Sequence, residues 1–156
     1  MSFRRIPKLL TKLAILTIFS TALAHTILST FVSYHNYPGG VAMLALHDMI
    51  AQNASLSTVD KIQVHIDAYS AMTGASLFTQ LDRNQVFYDR NESTTDFTSF
   101  DYLVVHDFLA HEDFDIGAAV WGYAGMERRM VMDKMRLPVP VYAEQVWVLK
   151  KRAAIP

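Results

Sequence analysis

Cysteine is missing from this sequence altogether. A disulfide framework, a thiolate zinc site and a thiol nucleophile are therefore excluded. The chain remains compatible with an oxidising compartment, since nothing in it can be oxidised to a disulfide. Charge is scarce as well: 19% of residues are charged and 51% are hydrophobic, slightly to the apolar side of an ordinary soluble domain. The formal net charge is −1, so the basic excess of a general nucleic-acid binder is absent. No Gly-x-Ser-x-Gly elbow, phosphate-binding loop or dinucleotide fingerprint occurs. There is no internal repeat and no low-complexity tract. At 156 residues, the chain has room for one membrane segment and one modest folded domain.

The apolar excess is concentrated near the N-terminus. Between Leu13 and Ser33 there is no charged residue, and no acidic residue occurs before Asp48. Such a run is about 31 Å long as a helix, close to the hydrocarbon thickness of a bilayer. Arg4, Arg5, Lys8 and Lys12 precede it and favour a cytoplasmic start, which sends everything after Tyr34 across the membrane. The expected division is a basic cytoplasmic flank at 1–12, a transmembrane helix at 13–34 and a luminal domain at 35–156. The same cations, Leu13–Phe19 and the small residues Ala22-Leu23-Ala24 also fit a cleaved signal peptide. The apolar run continues through Ile27, Leu28, Phe31 and Val32, further than a cleaved signal requires. Two glycan acceptor triplets, Asn53-Ala54-Ser55 and Asn91-Glu92-Ser93, suit a translocated domain.

Residues 35–156 read as a small α/β layer structure. A helix is expected at Val41–Ile50, with Val41, Leu44, Ala45 and Met49 as its apolar stripe. Lys61–Ile66 alternates as a strand does, and Ala68–Leu81 is expected to be a second helix weakened by Gly74. Gln85–Tyr88 and Tyr102–His106 are further strands. Asp115–Met130, broken by three glycines, is expected to be a short helix or irregular. Val139–Leu149 is a long final strand with prolines confined to its start. Met126, Met130, Val131 and Met135 have helical spacing, which core packing explains more simply than a cofactor box. Asn91–Ser99 is a polar surface loop.

Several residues carry candidate chemistry. The glycines of Pro38-Gly39-Gly40 allow a sharp turn, and free N–H groups at the start of the next helix could receive an anion. The alternative is a plain exit turn. If the strands are parallel, Asp67 and Asp107 lie at the carboxyl edge where α/β proteins bind ligands; the alternative for Asp67 is a helix N-cap. His65, His106, His111, Glu112 and Asp113 lack the i, i+4 pairing of a zinc hydrolase, and no metal is expected.

More specific than any of these is the run Ser33-Tyr34-His35-Asn36-Tyr37-Pro38-Gly39-Gly40-Val41-Ala42-Met43. It resembles the segment after the last membrane helix in the dolichyl-phosphate-mannose-dependent α-1,6-mannosyltransferases of N-glycan assembly, in glycosyltransferase family 22. His65-Ile66-Asp67, followed by Thr73-Gly74 and Ser76, is similar to a second block in the same order. The final strand, ending Val148-Leu149-Lys150, is similar more loosely.

The resemblance implies a piece of a polytopic, multi-helix membrane glycosyltransferase of the endoplasmic reticulum, with its C-terminal domain luminal. It implies transfer of mannose from dolichyl phosphate mannose, in α-1,6 linkage and with inversion, to a dolichol-linked oligosaccharide. No cofactor is implied. Inversion needs a carboxylate to deprotonate the acceptor hydroxyl. In the family that acid lies in a luminal loop near the N-terminus, which this sequence does not contain, so the chain is expected to be a fragment and inactive alone. Contacts to the lipid-linked substrates would fall on His35, Asn36, Tyr37, Gly39, Gly40, His65 and Asp67. The partners implied are the membrane and the lipid-linked oligosaccharide, not nucleic acid. Two alternatives stay open: an α-1,2-mannosyltransferase of the same family, and a luminal α/β interaction module without catalysis, secreted or membrane-anchored.

Overall fold

A computed structural model describes residues 8–53, 61–81, 85–132 and 135–152 of the chain. It divides into two units, Met1–Tyr34 and His35–Pro156. Arg4 and Arg5 lie outside the described residues.

The first unit is one helix, α1, Lys8–Tyr34, with no buried residue. Its length is about 40 Å, and by length and composition it is a candidate to cross a membrane. Three of its five threonines suit an apolar surrounding. Thr17, Thr21 and Thr26 donate to the carbonyls of Leu13, Thr17 and Ala22 at 2.9, 2.8 and 2.9 Å, so these three hydroxyls do not need water.

The second unit opens with α2, Pro38–Asn53. Proline in the first turn suits a helix start because its missing N–H would have no partner within the helix. The buried face of α2 is Ala42, Met43, Leu46 and Ile50, with Ala45 and Met49 packed beside it. Val41 and Leu44 point outward, so the expected stripe is rotated: the buried set i, i+1, i+4, i+8 follows the 3.6-residue period just as well and carries the bulkier contact.

Strand β1, Ile62–Ile66, leads into a short helix α3, Ala68–Met72, and a single 3-10 turn at Leu77–Thr79. The helix expected through Leu81 therefore stops early, because Gly74 turns the chain with φ +115°. Strands β2, Val86–Asp89, and β3, Tyr102–Val105, follow. Two long strands close the chain: β4, Phe114–Met132, and β5, Met135–Lys151.

The strand β4 overturns the expectation of a helix or irregular stretch at 115–130. Its glycines are not helix breakers but sites of irregular pairing. Ile116 pairs with Leu149 and Ala118 with Val148, leaving Gly117 as an extra residue; Ala124 is likewise extra beside Gly125, which has φ +132°. These are β-bulges. Strand β5 begins earlier than expected, at Met135, so Pro138 and Pro140 lie inside it rather than at its start. Two apart, they share one side, and β5 has only β4 as a neighbour there, so their missing N–H groups break no ladder.

The five strands form one mixed sheet in the order β2-β1-β3-β5-β4. Strand β1 is parallel to β2 and β3; β5 is antiparallel to β3 and β4. Alternation sends Val64, Ile66, Tyr102, Val104, Val146 and Val148 under α2. Leu103, Val105 and Leu149 go to the other face, against Phe100 and Phe114, with Phe97, Phe108 and Trp147 packed beside them. The sheet body is thus covered on both sides. The outer part of the β4–β5 ribbon is not: Met126 and Met130 are exposed, contrary to the core role expected of them.

Candidate functional site

Because β1 and β3 are parallel neighbours, the residues after both strands meet at one sheet edge, as the sequence suggested for Asp67 and Asp107. Asp67 is fixed there by three main-chain bonds. Its N–H donates to the Val104 carbonyl (3.1 Å), its Oδ1 accepts the Ser70 N–H (2.7 Å) and its Oδ2 accepts the His106 N–H (2.6 Å). It caps α3 and clamps the ends of two strands together. Asp107 is exposed and closes a turn by accepting the Leu109 N–H.

The more adaptable groups at this edge are His106, which the sequence offered only as a weak metal-ligand candidate, and Gln145 and Tyr69, which sequence patterns did not single out. His106, exposed, donates from Nδ1 to the Gln145 carbonyl at 2.6 Å. A carbonyl can only accept, so Nδ1 carries the proton and a neutral ring keeps Nε2 as an acceptor. Gln145 is the extra residue of a bulge in β5, between the pairs Val120–Val146 and Trp121–Glu144. Its Oε1 accepts from the Tyr69 hydroxyl (2.7 Å) and its Nε2 donates to the Tyr123 carbonyl (2.9 Å). Gly122 makes room for it: a Cβ there would lie 2.4 Å from Gln145 Oε1.

Around these polar atoms stand aromatic rings. Tyr69 and His106 are 4.3 Å apart between centroids, His106 and Trp147 6.2 Å, Phe108 and Trp147 4.9 Å. All four are at least partly accessible. The result is a shelf of tilted rings interleaved with a histidine acceptor and an amide. Flat apolar faces beside fixed polar groups fit a ligand that has both, and a sugar ring, with C–H faces and hydroxyl edges, is one.

The turn His35–Gly40 sits elsewhere but is joined to this edge. The Tyr123 N–H donates to the His35 carbonyl (3.1 Å), and the Tyr123 carbonyl is the group that Gln145 holds. The His35 and Tyr142 rings are 4.9 Å apart. Asn36 and Tyr37 are exposed. The N–H groups of Gly39 and Gly40 donate to Thr73, one to Oγ1 (3.2 Å) and one to the carbonyl (3.3 Å). Gly39 also allows α2 to touch α3, since a Cβ would be 2.1 Å from the Ser70 carbonyl oxygen. Packing of α2 on Ser70 and Thr73 accounts for Gly39, whereas at Gly40 a Cβ would make only an ordinary contact, 3.5 Å from the Gly74 oxygen.

His65 is separate from either group. It is buried on the other face of β1, edge-on to Phe97, and its Nδ1 lies 3.0 Å from Asp89 Oδ2. Burial pushes the Asp89 carboxyl up, but the bonds from His65, the Asn91 N–H and Thr94 together hold it below its ordinary value. Among the described residues no three His, Asp or Glu side chains converge as metal ligands.

No family model matches the chain, and no solved structure matches it. Two curated proteins do. The Dol-P-Man:Man(7)GlcNAc(2)-PP-Dol alpha-1,6-mannosyltransferase of Saccharomyces cerevisiae is 34% identical over 106 residues, 64% of this chain and 18% of that protein. The probable Dol-P-Man:Man(7)GlcNAc(2)-PP-Dol alpha-1,6-mannosyltransferase of Schizosaccharomyces pombe is 33% identical over 111 residues, 65% of this chain and 19% of that protein. The chain thus spans less than a fifth of either relative. The resemblance first carried by His35–Gly40 and His65–Asp67 is borne out: over about two-thirds of its length this chain is similar to a part of two Dol-P-Man-dependent α-1,6-mannosyltransferases.

Proposed function

We propose that this chain is part of an α-1,6-mannosyltransferase of the endoplasmic-reticulum membrane that takes mannose from dolichyl phosphate mannose. Its α/β unit is luminal, and α1 is one of the membrane helices of a polytopic enzyme. The shelf of Tyr69, His106, Phe108 and Trp147 holds the dolichol-linked oligosaccharide acceptor, with His106 Nε2 accepting from a sugar hydroxyl. The observation that carries this is the juxtaposition, at one sheet edge, of stacked rings and a histidine whose proton is fixed on Nδ1. The similarity to two fungal enzymes whose acceptor is a lipid-linked glycan supports it. Asp67 is committed to main-chain donors and serves as a positioning residue, so the base that activates the acceptor hydroxyl is supplied from elsewhere in the enzyme.

The test is a chimera. Residues 35–156 replace the matching segment of the Saccharomyces cerevisiae enzyme in cells lacking their own copy. Conversion of the seven-mannose lipid-linked glycan to the eight-mannose form is then measured. The chimera is expected to restore conversion. Trp147→Ala and His106→Ala are each expected to lower it by roughly tenfold at equal protein level, the size of losing a central aromatic or hydrogen-bonding contact. Full conversion by both variants would refute the shelf as the acceptor site.

A further inference from the structure

The outer β4–β5 ribbon, residues 124–140, has an unusual composition for exposed structure. Four of the chain's eight methionines fall between Met126 and Met135. Met126 is 43% exposed, Met130 61% and Leu137 40%. Arg128, Arg129 and Arg136 stand exposed among them, and among the described residues the ion pair they make is that of Arg129 with Glu127, at 3.3 Å. A two-stranded ribbon with uncovered faces is marginal in water, and clustered exposed apolar side chains mark a surface that meets something.

The fold shows which way the ribbon runs. Helix α2 starts beside it, Pro38 against Gly122, and proceeds toward Gly117, where Met49 packs. At its end Asn53 accepts from Lys150. The strands of the body pair with β5 only at Trp147–Lys150. Beyond Tyr123 the ribbon therefore continues away from the body, past His35, which bonds to Tyr123 and directly follows α1 in the chain. From Tyr123 to Met132 it reaches about 30 Å. At the level of His35 it carries an aromatic set, Trp121 (60% exposed), Tyr123 and Tyr142, with Tyr37 nearby in sequence. Tyrosine and tryptophan favour the membrane–water boundary.

We propose that the β4–β5 ribbon docks on an anionic bilayer through the face shared by Met126, Arg128, Met130 and Arg136, with the two methionines at the level of the headgroups and the two arginines against lipid phosphates. This rests on α1 lying in that bilayer, not on the enzymatic proposal. Arginine stems cover apolar surface while their guanidinium groups stay with the phosphates. Docking stops at the interface. Outside the β4–β5 ladder both ribbon edges keep unpaired backbone groups, which headgroup water can satisfy and hydrocarbon cannot.

The absence of cysteine gives a direct test. The full chain is reconstituted in nanodiscs of phosphatidylcholine with phosphatidylinositol, carrying one fluorophore at Met130→Cys, Leu109→Cys or Ile18→Cys. Quenching is read with nitroxide placed on the headgroup or at the acyl-chain end. The Ile18→Cys label in α1 is expected to respond to the acyl-chain nitroxide, and the Leu109→Cys label (75% exposed, on the body) to neither. The Met130→Cys label is expected to respond to the headgroup nitroxide alone. Replacing Arg128 and Arg136 by glutamine should lower its docking equilibrium constant on the order of twenty-five-fold, about fivefold per cation. A Met130→Cys label as unquenched as that at Leu109→Cys overturns the proposal. So does one shielded from aqueous quencher without lipid quenching, which would mark a protein neighbour. An unquenched Ile18→Cys label also overturns it, by removing α1 from the bilayer.

Discussion

Strand β5 passes through two different worlds. Near its end, Val146, Val148 and Leu149 are buried on alternating faces of the sheet body, while at its start Leu137 stands exposed on the ribbon. The alternation of side chains is the same in both. The difference lies in what covers them: α2 lies on one face of the body and the Phe97–Phe108 segment on the other, whereas Met126, Met130 and Leu137 of the outer ribbon stay exposed. Alternation announces a strand; burial depends on a neighbour that the strand's own sequence does not contain.

The largest effect that would sharpen this contrast is cavity formation in the body. Leu103 is fully buried, so Leu103→Ala is expected to destabilise the α/β unit by about 2–5 kcal/mol. Leu137→Ala on the ribbon should cost no more than about 0.5 kcal/mol in detergent solution. Urea unfolding of both variants measures the difference, and equal losses would erase the distinction between the regions.

A second comparison lies within the turn at the start of α2. Gly39→Ala forces a Cβ to within 2.1 Å of the Ser70 backbone oxygen, and helix and neighbour must separate, at about 1–3 kcal/mol. At Gly40 a Cβ meets Gly74 O at 3.5 Å, an ordinary contact, so Gly40→Ala should be neutral or slightly stabilising through its helix propensity. Thermal unfolding separates the two. A Gly40 variant as damaged as the Gly39 variant would mean that the turn, rather than the packing of α2 on α3, requires glycine.

Protonation should weaken the body and leave the ribbon untouched, since residues 124–140 contain no histidine. Burial lowers the pKa of His47, beside the Tyr88 hydroxyl at 3.2 Å, and of His111, edge-on to Phe97. Both are thus more readily protonated in the unfolded chain. Stability is present above the unfolded value of 6.5 and is lost as the pH falls below it, until the folded pKa is passed. His47→Gln should flatten that slope. Asp89 acts later, with a contribution present above 3.8 and lost only as the pH falls further, through its lowered folded value. A melting temperature flat across 6.5 would contradict the assignment.

How much of this was legible beforehand follows from the range of the forces involved. Local periodicity placed α2, β1, β2, β3 and most of β5. It misplaced the exposed side of α2, because Val41 and Leu44 are as apolar as Ala42 and Met43. It failed for β4, where Gly117, Gly122 and Gly125 look like helix breakers but serve two bulges and the seat of Gln145. At the candidate site, Asp67 and the edge of the parallel strands were readable from strand ends. Gln145 and Tyr69 were not, since a bulge in β5 cannot be seen without its partner strand; Trp147 signalled only a strand position.

The smallest expected effect on stability concerns the two glycan triplets. With the α/β unit in the lumen, as proposed, both are available by sequence, but their surroundings differ. Asn53 ends α2 with both polar atoms of its amide engaged: Nδ2 donates to the Met49 carbonyl at 2.6 Å and Oδ1 accepts from Lys150 at 3.0 Å. Its triplet partner Ser55 lies outside the described residues. Asn91 is exposed in a turn just after β2, with Glu92 and Ser93 also exposed, and its hydrogen bonds among the described residues are local: its N–H donates to Asp89, its Oδ1 accepts from the Ser93 N–H and its carbonyl from the Thr94 N–H. Strand β2 is the edge opposite to β4, so a glycan there projects away from the ribbon and from any surface the ribbon touches. Asn91 is therefore expected to carry a glycan and Asn53 to carry none. In microsomes, Asn91→Gln should abolish the shift in gel mobility on glycosidase treatment, Asn53→Gln should leave it unchanged, and Asn91→Gln should alter stability by no more than about 0.5 kcal/mol. A glycan on Asn53 would require α2 to release its last turn from Lys150, and would show that the covered body is looser at that end than its hydrogen bonds imply.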